Sequence, residues 1–379
     1  MQADLVIKNA KIVLADEVIA GSLAVEDGAI SAIDLSHAEA GIDFDGDYLI
    51  PGLVELHTDH LENHYHPRPS VYWDPMAALQ AHDTQIAGSG ITTVFDALRI
   101  GSDVEMPGMG DHVDVLLGAV TSALAGGRLR ADHKVHLRCE LPAHDVVEHF
   151  ERFCDLPIVR LASVMDHTPG QRQYQTVQKF REYYIERMRF TETEMDAFIA
   201  DRHNEQAQYS DKHRKAILKR GRAAGIAFAS HDDATEEHVA ESAADGVSIA
   251  EFPTTLIAAE ASHKAGLAVL MGAPNVVRGK SHSGNISATD LAKAHLLDVL
   301  SSDYVPFALM QAAFMLPQRA EEISLPESIA MVSRNPAKAV GLDDRGEIAV
   351  GKRADFVRVA LIDGTPVVRG VWRQGERVS

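Results

Sequence analysis

Apolar residues recur along this chain at two periods, and the change from one to the other divides it. Over residues 3–50 they alternate with polar ones, in DLVIKNAKIVL, then EVIAGSLAVEDGAISAIDL, then a run ending at Tyr48-Leu-Ile50. A period of two puts successive side chains on opposite faces, which predicts short strands. Asp27-Gly28 and Asp45-Gly46 interrupt these runs, and Asp-Gly between alternating segments predicts the hairpins of an antiparallel sheet. The last stretch, GEIAVGKRADFVRVALIDGTPVVRGVWRQGERV, repeats the style with Asp363-Gly364 at a turn. Neither end buries enough surface alone, so residues 1–52 and 340–379 are expected to form one discontinuous β-domain.

Between the ends, short apolar runs alternate with stretches of helical spacing. Strands are predicted at 53–57, 91–95, 134–140, 158–165, 226–231, 247–252, 268–273 and 299–303. Helix starts are predicted at Ser287-x-x-Asp290 and Ser324-x-x-Glu327, where a hydroxyl can cap the first turn. Eight strands alternating with helices predict parallel βαβ units and an α/β fold, a (β/α)8 barrel over residues 53–339. The stretch 168–222 breaks the alternation. Tyr174, Val177, Phe180, Tyr184 and Met188 have helical spacing, and Thr191-x-x-Glu194 opens a second helix. With 12 Lys/Arg against 8 Asp/Glu, this insertion reads either as a solvated helical pair or as a basic cover over an anionic substrate.

Composition narrows the function. The chain has 379 residues, 46% hydrophobic and 24% charged, which is a globular mixture. Its formal net charge of −19 disfavours nucleic acid and anionic membranes as partners. Two cysteines, Cys139 and Cys154, exclude a disulfide framework and predict a reducing, cytoplasmic setting. The opening residues carry acids where a secretory signal would be apolar. The apolar run at 306–317 is too short to span a bilayer core of ~30 Å. A homodimer is the base-rate expectation. Histidine is abundant at 19 residues; His112, His144, His149 and His213 sit among charges and are expected to be solvated.

The remaining histidines gather at predicted strand ends. His57 and Asp59 end the first barrel strand on one face, two residues apart. Glu140 closes Val-His-Leu-Arg-Cys-Glu, His167 follows Ala-Ser-Val-Met-Asp, His231 closes Ala-Phe-Ala-Ser-His, and Asp303 closes Leu-Ser-Ser-Asp. Barrel enzymes build their sites at the C-terminal ends of strands. Each residue alone could be a hydrogen-bonded core group, but three imidazoles and three carboxylates together suit two divalent ions. Zinc is the leading expectation, with manganese, iron or nickel also compatible. Cys139 alternates with Glu140 and reads as core.

The β-rich ends, the entry Pro-Gly-Leu-Val-Glu-Leu-His-Thr-Asp and the closing Gly351-Lys-Arg-Ala-Asp355-Phe-Val resemble the amidohydrolase superfamily. The resemblance implies a composite β-sandwich flanking a distorted (β/α)8 barrel that holds one or two metals. It further implies a His-x-His pair, a bridging lysine or glutamate, two later histidines and a final aspartate. Here Asp59 replaces the second histidine and Glu140 takes the bridging place. Leu56-His-Thr-Asp-His-Leu-Glu-Asn-His64, Met165-Asp-His-Thr-Pro-Gly-Gln-Arg-Gln173 and Gly272-Ala-Pro-Asn-Val-Val-Arg-Gly-Lys-Ser-His-Ser-Gly-Asn285 are similar to one branch. Those are the α-D-ribose 1-methylphosphonate 5-triphosphate diphosphatases of phosphonate catabolism, and the likeness runs along essentially the whole chain. His60 stands where that branch more often has asparagine.

Phosphate chemistry is also legible in the residues. The segment 275–285 offers Arg278, Lys280, Ser281, His282, Ser283 and Asn285 after a late strand, where barrels often bind phosphate. Its alternative is an ordinary polar loop before a helix. Arg99 and Arg172 are further phosphate candidates, Arg68 another; His60, His64 and His66 read as rim groups. These observations predict metal-assisted hydrolysis of a triphosphate to a sugar 5-phosphate and pyrophosphate, with Asp303 taking the proton from the attacking water. The competing expectation is a C–N hydrolase or deaminase acting on a cyclic amide or nucleobase. A non-catalytic relative is disfavoured because every ligand position holds a competent residue.

Overall fold

The computed structural model describes the chain apart from residues 1–3, 35–37, 39, 103–108, 171, 173–175, 189 and 282–283, and the side chains of 109–111, 179, 182–183 and 186–188. Its strands are β1 (Leu5–Val13), β2 (Val18–Glu26), β3 (Ala29–Asp34), β4 (Ile42–Asp43), β5 (Tyr48–Pro51), β6 (Leu53–Thr58), β7 (Ile91–Ile100) and β8 (Asp132–Glu140). They continue with β9 (Val159–Met165), β10 (Ala227–His231), β11 (Ile249–Glu251), β12 (Ala268–Gly272), β13 (Val299–Ser301), β14 (Phe356–Ile362), β15 (Thr365–Arg373) and β16 (Glu376–Arg377).

The two ends of the chain share one sheet, ordered β16-β15-β14-β5-β1-β2-β3 with β4 also on β1. Its core gathers Ile7, Ile12, Leu23, Phe44, Leu49, Phe356 and Trp372, the inward positions of the alternating pattern. Asp27 and Gly28, at φ 51° and 73°, turn β2 into β3; Asp363 and Gly364, at 49° and 78°, turn β14 into β15. Two consecutive left-handed residues match the twist of the strands they join. The expectation of an antiparallel sheet fails at the third Asp-Gly. Asp45-Gly46 links β4 to β5, and both run parallel to β1, so the sheet is mixed. That loop is held locally instead, by Asp43 Oδ1 accepting the Asp45 N–H at 2.8 Å and by the Arg358 guanidinium on Asp47 and the carbonyls of Asp43 and Phe44.

All eight strands expected in the middle are present, in sequence order from β6 to β13. The pairings described among them are parallel. Such strands are buried on both faces and read as continuous apolar runs, as β6 does with all six residues buried. The row nearly closes on itself. Thr58 bridges Asp303 in parallel, and the Asp303 N–H donates to the His57 carbonyl at 3.0 Å. Glu55, fully buried, clasps the same seam: its carboxylate accepts the His57 N–H and the Ser302 N–H, each at 2.6 Å. This is the barrel with a terminal β-layer that the pattern anticipated.

The predicted helix starts are in place. Ser287 accepts the Asp290 N–H, and Ser324 with Glu327 and Thr191 with Glu194 form reciprocal capping boxes. In the insertion, helices Val177–Met188 and Glu192–Ala223 pack through Phe180, Tyr184 and Met195. Val177 is exposed rather than part of that face, and Tyr174 lies outside the described residues. Contacts group the chain into two compact units, Met1–Asp96 with Gly118–Lys134 and Met271–Ser379, and Ala97–Leu117 with Val135–Leu270. Among the described residues no helix is long and apolar enough to cross a membrane.

Candidate metal centre

In the first unit, His57 is buried at the end of β6, and its carbonyl is tied to Asp303 just beyond β13. Asp303 takes φ +56°, a left-handed turn directly after the strand. Asp59 stands at the N-cap of helix His60–Tyr65 without capping it through its side chain. His57, Asp59 and Asp303 are thus positioned by two strand ends that the barrel seam brings side by side. Burial pushes the Glu55 carboxyl up to about 8, although the N–H groups it accepts oppose that.

In the second unit, Glu140, His167 and His231 meet, as the sequence suggested, but in an unexpected pattern. The Glu140 carboxylate accepts the His167 backbone N–H at 3.1 Å and lies 2.6 Å from His167 Nδ1. His231 Nδ1 lies 3.1 Å from Glu251, a fully buried carboxylate at the end of β11. The two imidazoles stand edge to face at 5.6 Å between centroids. Their Nε2 atoms approach one oxygen, Asp232 Oδ2, at 4.0 Å for His167 and 3.5 Å for His231. His167, His231 and Asp232 each offer a ligand atom within 4.8 Å of the others.

Burial lowers the basicity of His167, but the carboxylates of Glu140 and Asp232 outweigh it and carry the ring up to about 9. For His231 burial prevails over Glu251 and depresses the ring to about 3. Asp232 is pushed up to about 7 by burial, against the pull of His167, Arg172 and Arg138. A buried site with two imidazoles and a carboxylate oxygen, one carboxylate behind each ring, fits a divalent cation.

The expected phosphate residues are more scattered in character. Arg278, the last residue of helix Ala273–Arg278, and Lys280 just beyond it are exposed; Ser281 and Asn285 are half-buried. His282 and Ser283 lie outside the described residues. Asn275 fixes the far side of this loop, accepting the Ala288 N–H at 3.1 Å and donating to the Ile286 carbonyl at 3.3 Å. Arg99, half-buried on β7, contributes its charge near His167. Arg172 is buried and spent internally: it pairs with Asp233, donates to the His231 carbonyl at 3.4 Å and reaches Glu241 at 3.5 Å. His213, expected in water, is buried with Nδ1 donating to the Leu141 carbonyl at 3.0 Å. Cys139 is core, its thiol pushed up by burial.

Sequence reasoning missed Asp232, Glu251 and Glu55, together with a second buried cluster in the first unit. There Asp96 accepts from His82 Nε2 at 2.8 Å and His133 Nδ1 at 2.7 Å, and Asp83 lies 3.3 Å from His133 Nε2. The signal for Glu55 was available, since it shares a strand face with His57 two residues on. Nothing in the local pattern distinguishes Asp232 from its neighbour Asp233.

Comparison with known proteins fits this architecture. The model of the amidohydrolase family matches residues 48–378. The chain is 45% identical over 377 residues, 99% of its length and 100% of the other's, to an alpha-D-ribose 1-methylphosphonate 5-triphosphate diphosphatase of Escherichia coli (strain K12). It is 30% identical over 161 residues to a D-hydantoinase of Ralstonia pickettii, covering 41% and 31% of the two chains. Among solved structures, a 5-methylcytosine deaminase from Klebsiella pneumoniae superposes with a TM-score of 0.66 at 14% identity, covering 99% and 98%. That last likeness concerns the fold alone. The chain belongs to the amidohydrolase family.

Proposed function

We propose that this hydrolase converts α-D-ribose 1-methylphosphonate 5-triphosphate and water into the 5-phosphate and pyrophosphate, using two divalent ions. The observation that carries this reading is the 45% identity maintained over both full lengths to a diphosphatase of that name. His57, Asp59 and Asp303 would hold metal from the β6 and β13 ends, and Glu140, His167 and His231 from the β8, β9 and β10 ends. When bound, the ions supply Lewis acidity to a phosphoryl oxygen and lower the pKa of water.

The chain's own groups do the rest. Asp303 accepts a proton from the attacking water as its oxygen forms a bond to phosphorus and the bond to the pyrophosphate oxygen breaks. The left-handed backbone at Asp303 and its link to the His57 carbonyl hold that carboxylate at the strand mouth. Arg278 and Lys280 bind the outer phosphates of the triphosphate, the part that leaves as pyrophosphate. Their exposure leaves them free to follow a flexible triphosphate. A small phosphorylated sugar as substrate accords with these cations in a chain of net charge −19.

Phosphorus NMR of purified enzyme with the ribosyl triphosphate tests the reading. Pyrophosphate and a sugar monophosphate are expected to appear together in equal amounts. Absence of pyrophosphate, with ammonia released from a nucleobase or ring opening of a cyclic amide, would replace it by C–N hydrolysis.

A further inference from the structure

β6 and β13 are the two ends of the barrel row, and one side chain ties their mouths together. We infer that Glu55 is a positioning residue for the reaction, its carboxylate setting how the strand that carries His57 lies against the strand end that carries Asp303. From the reading above this takes only that Asp303 accepts the proton of the attacking water.

The two strands meet at the isolated bridge between Thr58 and Asp303. Further down, each donates to the stretch before helix Arg334–Ala339. The Val54 N–H donates to the Val332 carbonyl and the Leu300 N–H to the Met331 carbonyl, both at 2.9 Å. Alignment at the mouth therefore falls to a short ring of hydrogen bonds. Glu55 accepts the His57 N–H through one oxygen and the Ser302 N–H through the other, each at 2.6 Å. The His57 carbonyl in turn accepts the Asp303 N–H at 3.0 Å.

Ser302 and Asp303 are consecutive, so the ring closes, and the peptide between their two anchored N–H groups has little freedom to turn. Asp303 follows that peptide at φ +56°, a conformation uncommon for a residue other than glycine. The direction of its carboxylate depends on the ring, and the ring depends on Glu55.

A carboxyl suits this task. Glu55 is fully buried, where backbone N–H groups need acceptors. It offers one oxygen to each donor, and both oxygens can accept whether or not the group carries a proton. Glutamine offers one oxygen and turns an NH2 group toward the other N–H, which opens the ring on that side. Aspartate keeps both oxygens but sets them back by one methylene.

Kinetics with saturating divalent metal and the ribosyl triphosphate test the role, since a misplacement of about 1 Å costs roughly 10²-fold in rate. Glu55→Gln is expected to lower kcat about a hundredfold with KM within about twofold of the parent's, because the phosphate contacts are untouched. Glu55→Asp, the conservative variant, is expected to lose only about tenfold in kcat, again with KM kept. Added to Asp303→Asn, Glu55→Gln is expected to cost less than about a further threefold, because a residue that acts through Asp303 has nothing left to position. Hydrogen exchange on the metal-free full chain gives a readout without turnover. Glu55→Gln is expected to speed exchange in peptides covering residues 55–58 and 300–304 while the other barrel strands exchange as in the parent. Parent-like kcat in Glu55→Gln, a loss confined to KM, or losses that multiply in the double variant overturn the inference, as does unchanged exchange at those peptides. Should Glu55→Gln not fold, Glu55→Asp decides by the same split, and a parent-like kcat there overturns it. A parent enzyme that releases no pyrophosphate counts against the proposed reaction instead, and the exchange measurement then still decides whether Glu55 holds the seam.

Discussion

Among the described residues, the His82–Asp96–His133 cluster of the first compact unit and the His167–His231–Asp232 cluster of the second solve the same electrostatic problem in opposite ways. Around His133, every carboxylate oxygen is occupied. Asp96 receives His82 and His133, and Asp83 receives the N–H groups of Arg130 and Ala131, the Arg130 guanidinium and the far side of His133. Around His167, two rings are braced from behind and their front nitrogens converge on an oxygen that accepts no hydrogen bond. The first arrangement fills both carboxylates, leaving His82 Nδ1 without a hydrogen bond, and ties helix Pro75–Gly88 to β7 and β8. The second leaves donors pointing at a common locus, which is what binding requires. Composition alone cannot separate the two, because both are made of the same residue types.

The sharpest way to break the contrast is to truncate one member of the open cluster. His231→Ala is expected to lower turnover roughly 10³-fold or more, beyond the about 10–100-fold typical of groups behind a ligand. Steady-state kinetics beside urea unfolding checks this. An unchanged rate would make the cluster structural.

The converse variant, Asp96→Asn, removes the partner shared by His82 and His133, all three with side chains fully buried. Losing one side of such a pair costs up to about 3–5 kcal/mol, because the buried charge of His133 is left with Asp83 alone. Urea unfolding is expected to show that loss, with bound metal per chain unchanged. Metal lost without destabilisation would move the cluster into the binding class, for which His82, Asp96 and His133 are also close enough.

Asp303 extends the comparison to chemistry. Asp303→Asn keeps size and an oxygen donor but removes the base, so turnover is expected to fall roughly 10²-fold with metal content retained. Elemental analysis alongside kinetics tests the pair of outcomes, and near-parent turnover would end the proton-accepting role.

The fold was readable because it depends on periodicity. The eight parallel strands announce themselves as apolar runs, and the capped helices by Thr191, Ser287 and Ser324. The direction of β4 and β5 was not readable, because Asp45-Gly46 makes a left-handed turn whether the flanking strands pair with each other or with β1. At the candidate site, the strand-end rule located His57, Glu140, His167, His231 and Asp303 but not their partnerships. Which carboxylate meets which ring depends on side-chain direction after a left-handed residue. Asp232 and Phe252, at φ 56° and 53°, supply such residues at the ends of β10 and β11. His213 was misread for a related reason, since a polar residue among charges can still be buried when a carbonyl awaits it.

The closed cluster also carries a pH signature. Burial opposes the charge on His133, yet Asp96 and Asp83 overcome it and raise the ring from 6.5 to about 9. Asp96 is lowered in turn, burial notwithstanding, by His133 and His82. A base strengthened by folding stabilises fully below its unfolded pKa and loses that contribution as pH climbs through the folded one. The melting temperature is therefore expected to decline between pH 6.5 and 9 by a few degrees, and Asp96→Asn is expected to flatten the slope. A variant that keeps the parent's slope would place its origin outside this network.

The smallest effect is expected where neither cluster reaches, at the cations of the 275–285 loop. Lys280 is exposed, so its charge acts through water and is screened over about 8–10 Å at ordinary ionic strength. An ammonium in that setting guides and steadies a triphosphate rather than bearing the reaction, and it contributes comparably to substrate and transition state. Lys280→Ala should accordingly raise KM about three- to tenfold with kcat nearly unchanged, and added salt should shrink the difference between variant and parent. A large fall in kcat would mean that the loop closes on the leaving pyrophosphate during the reaction. Lys280 would then belong with His231 among the groups whose loss stops catalysis.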